Sequence, residues 1–278
     1  MTRFLTTLAS LALTACATGQ ADPTRPGEVG FGAVRTPDLL DRVGGDREAT
    51  IGVVEGVYRC GRSSIEAPLP DGYPEPTPPG AIDLKRYPSI RRAEWVTKGG
   101  SNFGMNVGFW PLFNHIKNRD IAMTSPVEMD YPGVFPDVMK SDEPVREGEA
   151  TMSFLYRSSA LGPTGEDGKI MIRDTAPVTV VSIGMNGPYG LGTMRKGLAQ
   201  LREWLKGQDE WEVAGTPRSF SYNGPYIAER WKWSEVQVPV RRREVAKVPA
   251  GAEPAPVAAH PAERPAEPAP ASAEPASR

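Results

Sequence analysis

The chain has 278 residues, enough for one sizeable domain or two small ones, and a formal net charge of −2. That balance disfavours a dedicated nucleic-acid binder, which needs a basic surface. Glycine and proline are both abundant, 29 of each, and unevenly spread, so part of the chain is expected to stay unpacked.

In chain order, Arg3 precedes the apolar run Phe4 to Ala15, too short to span a bilayer as a mature helix. With its small residues at the end it reads as an export signal. The run closes on "LTAC", Leu13 to Cys16, a match to the bacterial lipobox whose cysteine becomes the lipidated first residue. Ordinary cleavage around Ala15-Cys16-Ala17 is the alternative. The expected location is the bacterial cell envelope, on a lipid anchor at Cys16, after a signal over residues 1–16. Residues 17–48 read as a tether with one short helix at Pro37 to Val43. Cys60 then has no partner and is expected as a small buried hydrophobe.

The folded unit is expected over residues 49–241. "ATIGVVEGVYRC" (49–60) is β-rich, and a proline-rich excursion follows, Pro68 to Pro79. Residues 81–97 predict one or two strands bent at Pro88. Phe109, Leu112, Phe113 and Ile116 fall at helical spacing, in a helix that ends near Asn118. Pro111 suits only a first turn, which places the helix start near Trp110. Strands are expected at Ile121–Asp130, Ala150–Arg157, Lys169–Ile172 and Val178–Met185. Met194, Leu198, Leu201 and Leu205 mark a second helix, which Gly207 stops. A turn-rich stretch leads to a last strand, Glu235–Val240. Residues 242–278 are rich in Pro, Ala and Glu, too poor in apolar side chains to offset ordering entropy, and are expected to be disordered.

The order of elements, strands around a helix twice over, suggests an internal two-fold repeat of α+β class with two flanking helices. The chain contains no G-x-S-x-G, Walker loop, H-E-x-x-H or paired C-x-x-C. Of the two histidines, His260 is in the tail, so His115 is the one candidate imidazole ligand or base. Its place on the helical wheel, about 120° off the apolar stripe, predicts a half-exposed surface residue. Phe109, Trp110, Phe113, Tyr222, Tyr226, Trp231 and Trp233 gather in two stretches. Beside Arg230 and Lys232 they could wall a pocket for a flat, acidic, apolar ligand.

Three stretches, "IDLKRYPSIRRAEW" (82–95), "FWPLFNHIKNRDIAMTSPVEM" (109–129) and "YNGPYIAERWKWSEVQVPV" (222–240), resemble the SOUL/haem-binding protein family. "IAMTSPV" is the most specific of the matches. Ser234 stands where the family has Asn, His115 where it has Tyr, and Lys117 where it has Gly. The resemblance implies a distorted β-barrel of two pseudo-symmetric β-α-β halves with two flanking helices. It also implies non-covalent binding of haem or another tetrapyrrole in an apolar groove, with histidine ligation not universal.

The expected ligand-binding residues are Arg86, Phe109, Phe113, His115, Met123, Tyr226, Trp231 and Trp233. Candidate rim cations for the propionates are Arg86, Arg91, Lys117, Arg230 and Lys232. By strand alternation Met123 and Val127 should pack on one face, while Thr124 and Ser125 satisfy the local backbone. No catalytic residue is expected under this reading. A second reading is a small hydrolase of the gyrase-inhibitor-like fold, using Glu235 or Glu128 as a carboxylate of raised pKa beside an aromatic wall. A third is a structural or partner-binding envelope module, with the tail as spacer.

Overall fold

The computed structural model describes residues 39–97, 101–132, 134–135, 137–140 and 148–244, with 101–106 as backbone. The lipobox with Cys16, the tether as far as Asp38 and the tail from Val245, His260 included, lie outside the described residues.

In chain order the strands are β1 (Leu39–Gly45), β2 (Gly52–Val54), β3 (Val57–Cys60), β4 (Ser63–Ile65), β5 (Ala81–Tyr87) and β6 (Arg91–Thr97). Helix α1 (Ser101–Asn118) follows, then β7 (Val127–Asp130), β8 (Ala150–Leu155), β9 (Gly165–Asp167), β10 (Ile170–Asp174) and β11 (Val178–Asn186). Helix α2 (Leu191–Lys206) precedes β12 (Trp211–Val213), β13 (Arg218–Ser221), a 3-10 turn (Glu229–Trp231) and β14 (Trp233–Arg242). Among the described residues no helix is long and apolar enough to cross a membrane.

One eleven-stranded sheet carries the fold, in the order β1-β5-β11-β14-β13-β7-β8-β6-β10-β9, with β12 added beside β14. Every pairing in it is antiparallel. The expected barrel is corrected here: the sheet is open, because β1 and β9 form its two ends and do not pair with each other. The two-fold repeat is present in the topology. The units β6-α1-β7-β8 and β11-α2-β13-β14 run outward in matching order from the seam where β7 pairs with β13. Strands β2, β3 and β4 form a separate small sheet.

Both helices cover one face. Leu198 and Leu201 of α2 and Leu112 and Ile116 of α1 share a core with Ala93, Met152, Phe154, Val181, Ile183, Val236 and Val238. Each of the leucine, isoleucine, valine, methionine and phenylalanine side chains contributes about 1.5–3 kcal/mol when fully buried. α2 lies so close that a Cβ on Gly197 would meet Val236. The opposite face carries Tyr87, Val180, Phe220 and Trp233, packed beneath Ile65, Leu69 and Tyr73. The proline-rich excursion is thus a packed cover over the second face.

Several boundaries differ from expectation. Residues 39–43, expected as tether and short helix, are strand, held by pairing with β5, a contact remote in sequence. Helix α1 begins at Ser101 and keeps Pro111 inside it. The carbonyl that Pro111 cannot bond is that of Val107, on the exposed side, where water can take its place. Residues 121–126 are extended but outside the ladder, which starts at Val127 after the cis Ser125–Pro126 peptide. β13 runs into the stretch read as turns, and β12 lies where no element was expected; each is ordered by pairing with β14.

Candidate functional site

The "IAMTSPV" segment enters the fold between α1 and the β13–β14 connection. Its hydroxyls bond distant carbonyls, where local backbone was expected: Thr124 donates to Leu155 at 2.5 Å and Ser125 to Ala67 at 3.0 Å. Ser125 N–H also donates to the Pro68 carbonyl at 2.9 Å. These bonds fix one wall of a cleft of about 540 Å³, formed by Met123, Thr124, Ser125 and Val127. Phe109 and Trp110 of α1 and Met152 of β8 form the second wall. Ser221 to Ile227, with Tyr189 and Lys232, form the third, and Glu66 and Ala67 close one end. The lining is mostly apolar, and the volume is that of a small-molecule or cofactor site.

Of the expected ligand residues, Phe109, Met123 and Tyr226 line this cleft, and so does the rim cation Lys232. The other five do not. Arg86 is exposed on β5. Phe113 stacks on Phe109 behind the wall, with centroids 6.0 Å apart. Trp231 is held between the guanidinium groups of Arg62 and Arg230. Trp233 is fully buried on the other face and donates Nε1–H to the Thr77 carbonyl at 2.8 Å. His115 is 3% exposed, not half-exposed. Its Nδ1 lies 2.6 Å from Asp167 and its Nε2 2.7 Å from the Tyr156 hydroxyl. With both ring nitrogens engaged, it cannot ligate a metal without breaking one of these bonds. Arg91 pairs with Asp174 at 2.8 Å, and Lys117 is exposed on α1, neither of them in the lining. Arg230 borders a shallower depression beside the cleft, with Asn186, Gly187 and Pro188.

Met152, Tyr189 and Asn223 were not singled out from the sequence, and Trp110 was named among the aromatic runs but not among the expected ligand residues. Trp110 was legible: it is adjacent to Phe109 in the aromatic run, and only its exposure on the helix marks it as a rim residue. Tyr189 and Asn223 bond each other, Tyr189 O accepting the Asn223 N–H at 2.7 Å, across a separation that no local pattern signals.

Behind the cleft, on the second face, a buried polar chain runs across the sheet. Glu235 accepts from Ser182 and Tyr222 hydroxyls at 2.6 Å, Thr77 N–H and Gln237 Nε2 at 2.7 Å, Lys85 Nζ at 3.1 Å and Tyr87 at 3.4 Å. Lys85 and Glu235 are both fully buried. Burial pushes the Glu235 carboxyl up, but Lys85, the two hydroxyls and the amide together bring it below the ordinary glutamate range. Burial and then the Glu235 charge hold the Tyr87 and Tyr222 phenols protonated, as donors. Gln237 passes the chain to Arg218 at 2.8 Å, and Arg218 and Arg92 both bond Glu128, at 3.0 and 2.8 Å.

The candidate catalytic glutamates are corrected by this geometry. Neither Glu235 nor Glu128 lines the cleft, Glu235 is lowered where a general acid or base would be raised, and Glu128 is clamped by two arginines. The hydrolase reading is not favoured. Among the described residues no group of three His, Cys, Asp or Glu side chains could hold a metal ion. Cys60 is half-buried and free, and its thiol is raised by burial.

Asp130, beside Glu128, titrates in the opposite sense. Burial and then the Glu128 charge, against Arg92, push its carboxyl up to about 6. A raised acid opposes folding once ionised, so its cost is absent below the unfolded value of about 3.9 and grows as pH rises to about 6. Asp130→Asn is therefore expected to match the parent in urea midpoint near pH 4 and to exceed it at pH 7. A lower midpoint at pH 7 would mean that the ion pair with Arg92, at 3.1 Å, outweighs burial.

A model of the SOUL heme-binding protein family matches residues 76–239, more than half of the chain. The chain belongs to the SOUL heme-binding family. Comparison with curated proteins found no match. Among solved structures it is similar to EcmrR in a DNA complex, at 14% identity and TM-score 0.47, over 58% of this chain and 57% of that one. The chain thus spans little more than half of that protein, and 98% of the separately solved EcmrR C-terminal domain. A hydrolase of Listeria innocua matches at 12% identity and TM-score 0.42, over 60% of this chain and 93% of that one.

Proposed function

We propose that this protein binds haem or another tetrapyrrole non-covalently in the cleft, and that it captures, buffers or carries that ligand at a bacterial cell envelope, anchored through a lipid on Cys16. The observation that carries the ligand reading is the mostly apolar cleft of about 540 Å³ walled by the "IAMTSPV" segment. Its residues fit such a group. Phe109, Trp110, Val127 and Ile227 offer flat and aliphatic surface to a macrocycle, and Lys232 offers a cation to a propionate. The lining contains no histidine or cysteine, and the Met123 and Met152 thioethers are its soft donors for an iron. Bound haem would supply the iron and the coloured macrocycle. The chain's own part is to bind the ring, exclude water from its faces and hold its acidic edge.

The test is a haemin titration of the purified chain followed by absorbance. Binding of micromolar order, about −8 kcal/mol, is expected. Val127→Trp, which fills the cleft, should abolish it. Lys232→Gln should weaken it several-fold, and His115→Gln should leave it unchanged while lowering stability. Loss of binding in His115→Gln with the fold intact would overturn the cleft assignment. The anchor has its own test. Palmitate should label the chain in a bacterial host and fail to label Cys16→Ser. An unlabelled mature chain beginning at Thr18 would rule the anchor out.

A further inference from the structure

The rim of the cleft has a composition that its interior does not require. Trp110 is 63% exposed and Tyr226 80% exposed, and both line the cleft. Indole and phenol rings with one wet edge are the side chains that settle at a lipid–water boundary. On the Tyr226 side Lys232 lines the cleft, and Arg62 and Arg230 stand beyond it on Trp231, with Glu66 in the lining and Glu229 beside Arg230. None of these three cations has a carboxylate partner among the described residues. Arg62 and Arg230 rest on the Trp231 ring at 5.2 and 5.5 Å, and Lys232 rests on Tyr189 at 5.2 Å. Exposed aromatics beside unpaired cations are complementary to one surface, a bilayer that bears anionic phospholipid.

From these observations we infer that the cleft mouth docks on a phospholipid surface, with Trp110 and Tyr226 entering the headgroup layer and Arg62 and Arg230 meeting lipid phosphates. Sequence length permits it. Residues 17–38 separate the lipobox cysteine from β1, and a chain of that length spans at most ~75 Å. An apolar ligand that partitions into lipid would then enter the cleft without crossing water. The docking rests on the rim alone and does not require that the ligand be a tetrapyrrole.

The experiment is co-sedimentation of the unlipidated mature chain, residues 17–278, with vesicles of phosphatidylcholine, with and without phosphatidylglycerol. Removing residues 1–16 keeps the export signal from inserting. The chain should sediment with the anionic vesicles, and Trp110→Ser with Tyr226→Ser should lower the partition coefficient about tenfold. Each of Arg62→Gln and Arg230→Gln should lower it about fivefold on anionic vesicles and leave the neutral ones unaffected. Neither arginine lines the cleft, so haemin titration of these two variants should be unchanged. No sedimentation of the parent, or rim variants that sediment equally well, would overturn the inference. So would a stable dimer whose formation depends on Trp110 and Tyr226, since the rim would then serve a second copy. Vesicle binding without haemin binding would sink the tetrapyrrole reading and leave docking standing; haemin binding without vesicle binding would do the reverse.

Discussion

Lys85→Met is expected to lower the unfolding free energy by about 3–5 kcal/mol, because it leaves the Glu235 carboxylate charged and buried without its cation. The five other donors to Glu235 reduce the loss but carry no full charge. Glu235→Gln should cost a similar amount, since it strands the Lys85 ammonium, whose remaining acceptor is the Glu75 carbonyl at 2.7 Å. The double variant should recover much of the loss, because no uncompensated charge remains. Urea midpoints of the four chains measure the coupling directly. Single variants within about 1 kcal/mol of the parent would show that the pair is relaxed by water in solution. The acid limb carries the same information. Glu235 is depressed in the folded state, so its stabilisation is complete above the unfolded value of about 4.3 and is lost as pH falls through the lower folded value. Lys85→Met should flatten that limb.

Gly184→Ala is the second large effect. Gly184 lies in β11 where the proline-rich cover crosses the sheet, and an added Cβ would meet the carbonyl oxygens of Thr77 and Pro78. These are backbone atoms and cannot swing aside. Displacing them withdraws the Thr77 N–H from Glu235 and the Thr77 carbonyl from Trp233. A loss of about 3 kcal/mol or more is expected from the clash and the unmade bonds together. Gly192→Ala in α2, where nothing lies within 4 Å, is the control and should stabilise by roughly 0.5–1 kcal/mol. If both substitutions proved equally mild, residues 77–79 would have to be a loosely held flap.

The docking proposal joins the two halves of the functional reading. The proposed anchor would set where the chain goes, and the proposed docking of Trp110, Tyr226 and the neighbouring cations would set which way it faces there. The anchor and docking proposals are separable, since the vesicle experiment uses a chain that was never acylated.

Local pattern sufficed for the elements whose stability is local. The spacing of Met194, Leu198, Leu201 and Leu205 predicted α2, all four side chains are buried, and Gly207 ends the helix. The two-fold order of strands and helices was legible because each unit repeats the same connection. The "IAMTSPV" motif was legible as a family resemblance, but its place outside the ladder was not, since residues 121–126 were expected as strand. Composition alone picked out the aromatic runs that hold Phe109 and Tyr226.

Tertiary structure decided the rest, for one physical reason: those features depend on partners far apart in sequence. Residues 39–45 carry no strong signal of their own and become strand because β5 offers an open edge. Alternation could not tell that Glu235 is buried, because β14 is covered on both faces, by α2 on one and by the proline-rich cover on the other. His115 looked like a surface residue on an isolated helical wheel. Asp167 and Tyr156, both remote in sequence, enclose it and use both its nitrogens. Whether a side chain feeds the cleft or the core was settled by long-range packing: Phe109 and Phe113 belong to the same cluster on the helix face, and Phe109 lines the cleft while Phe113 stands behind it.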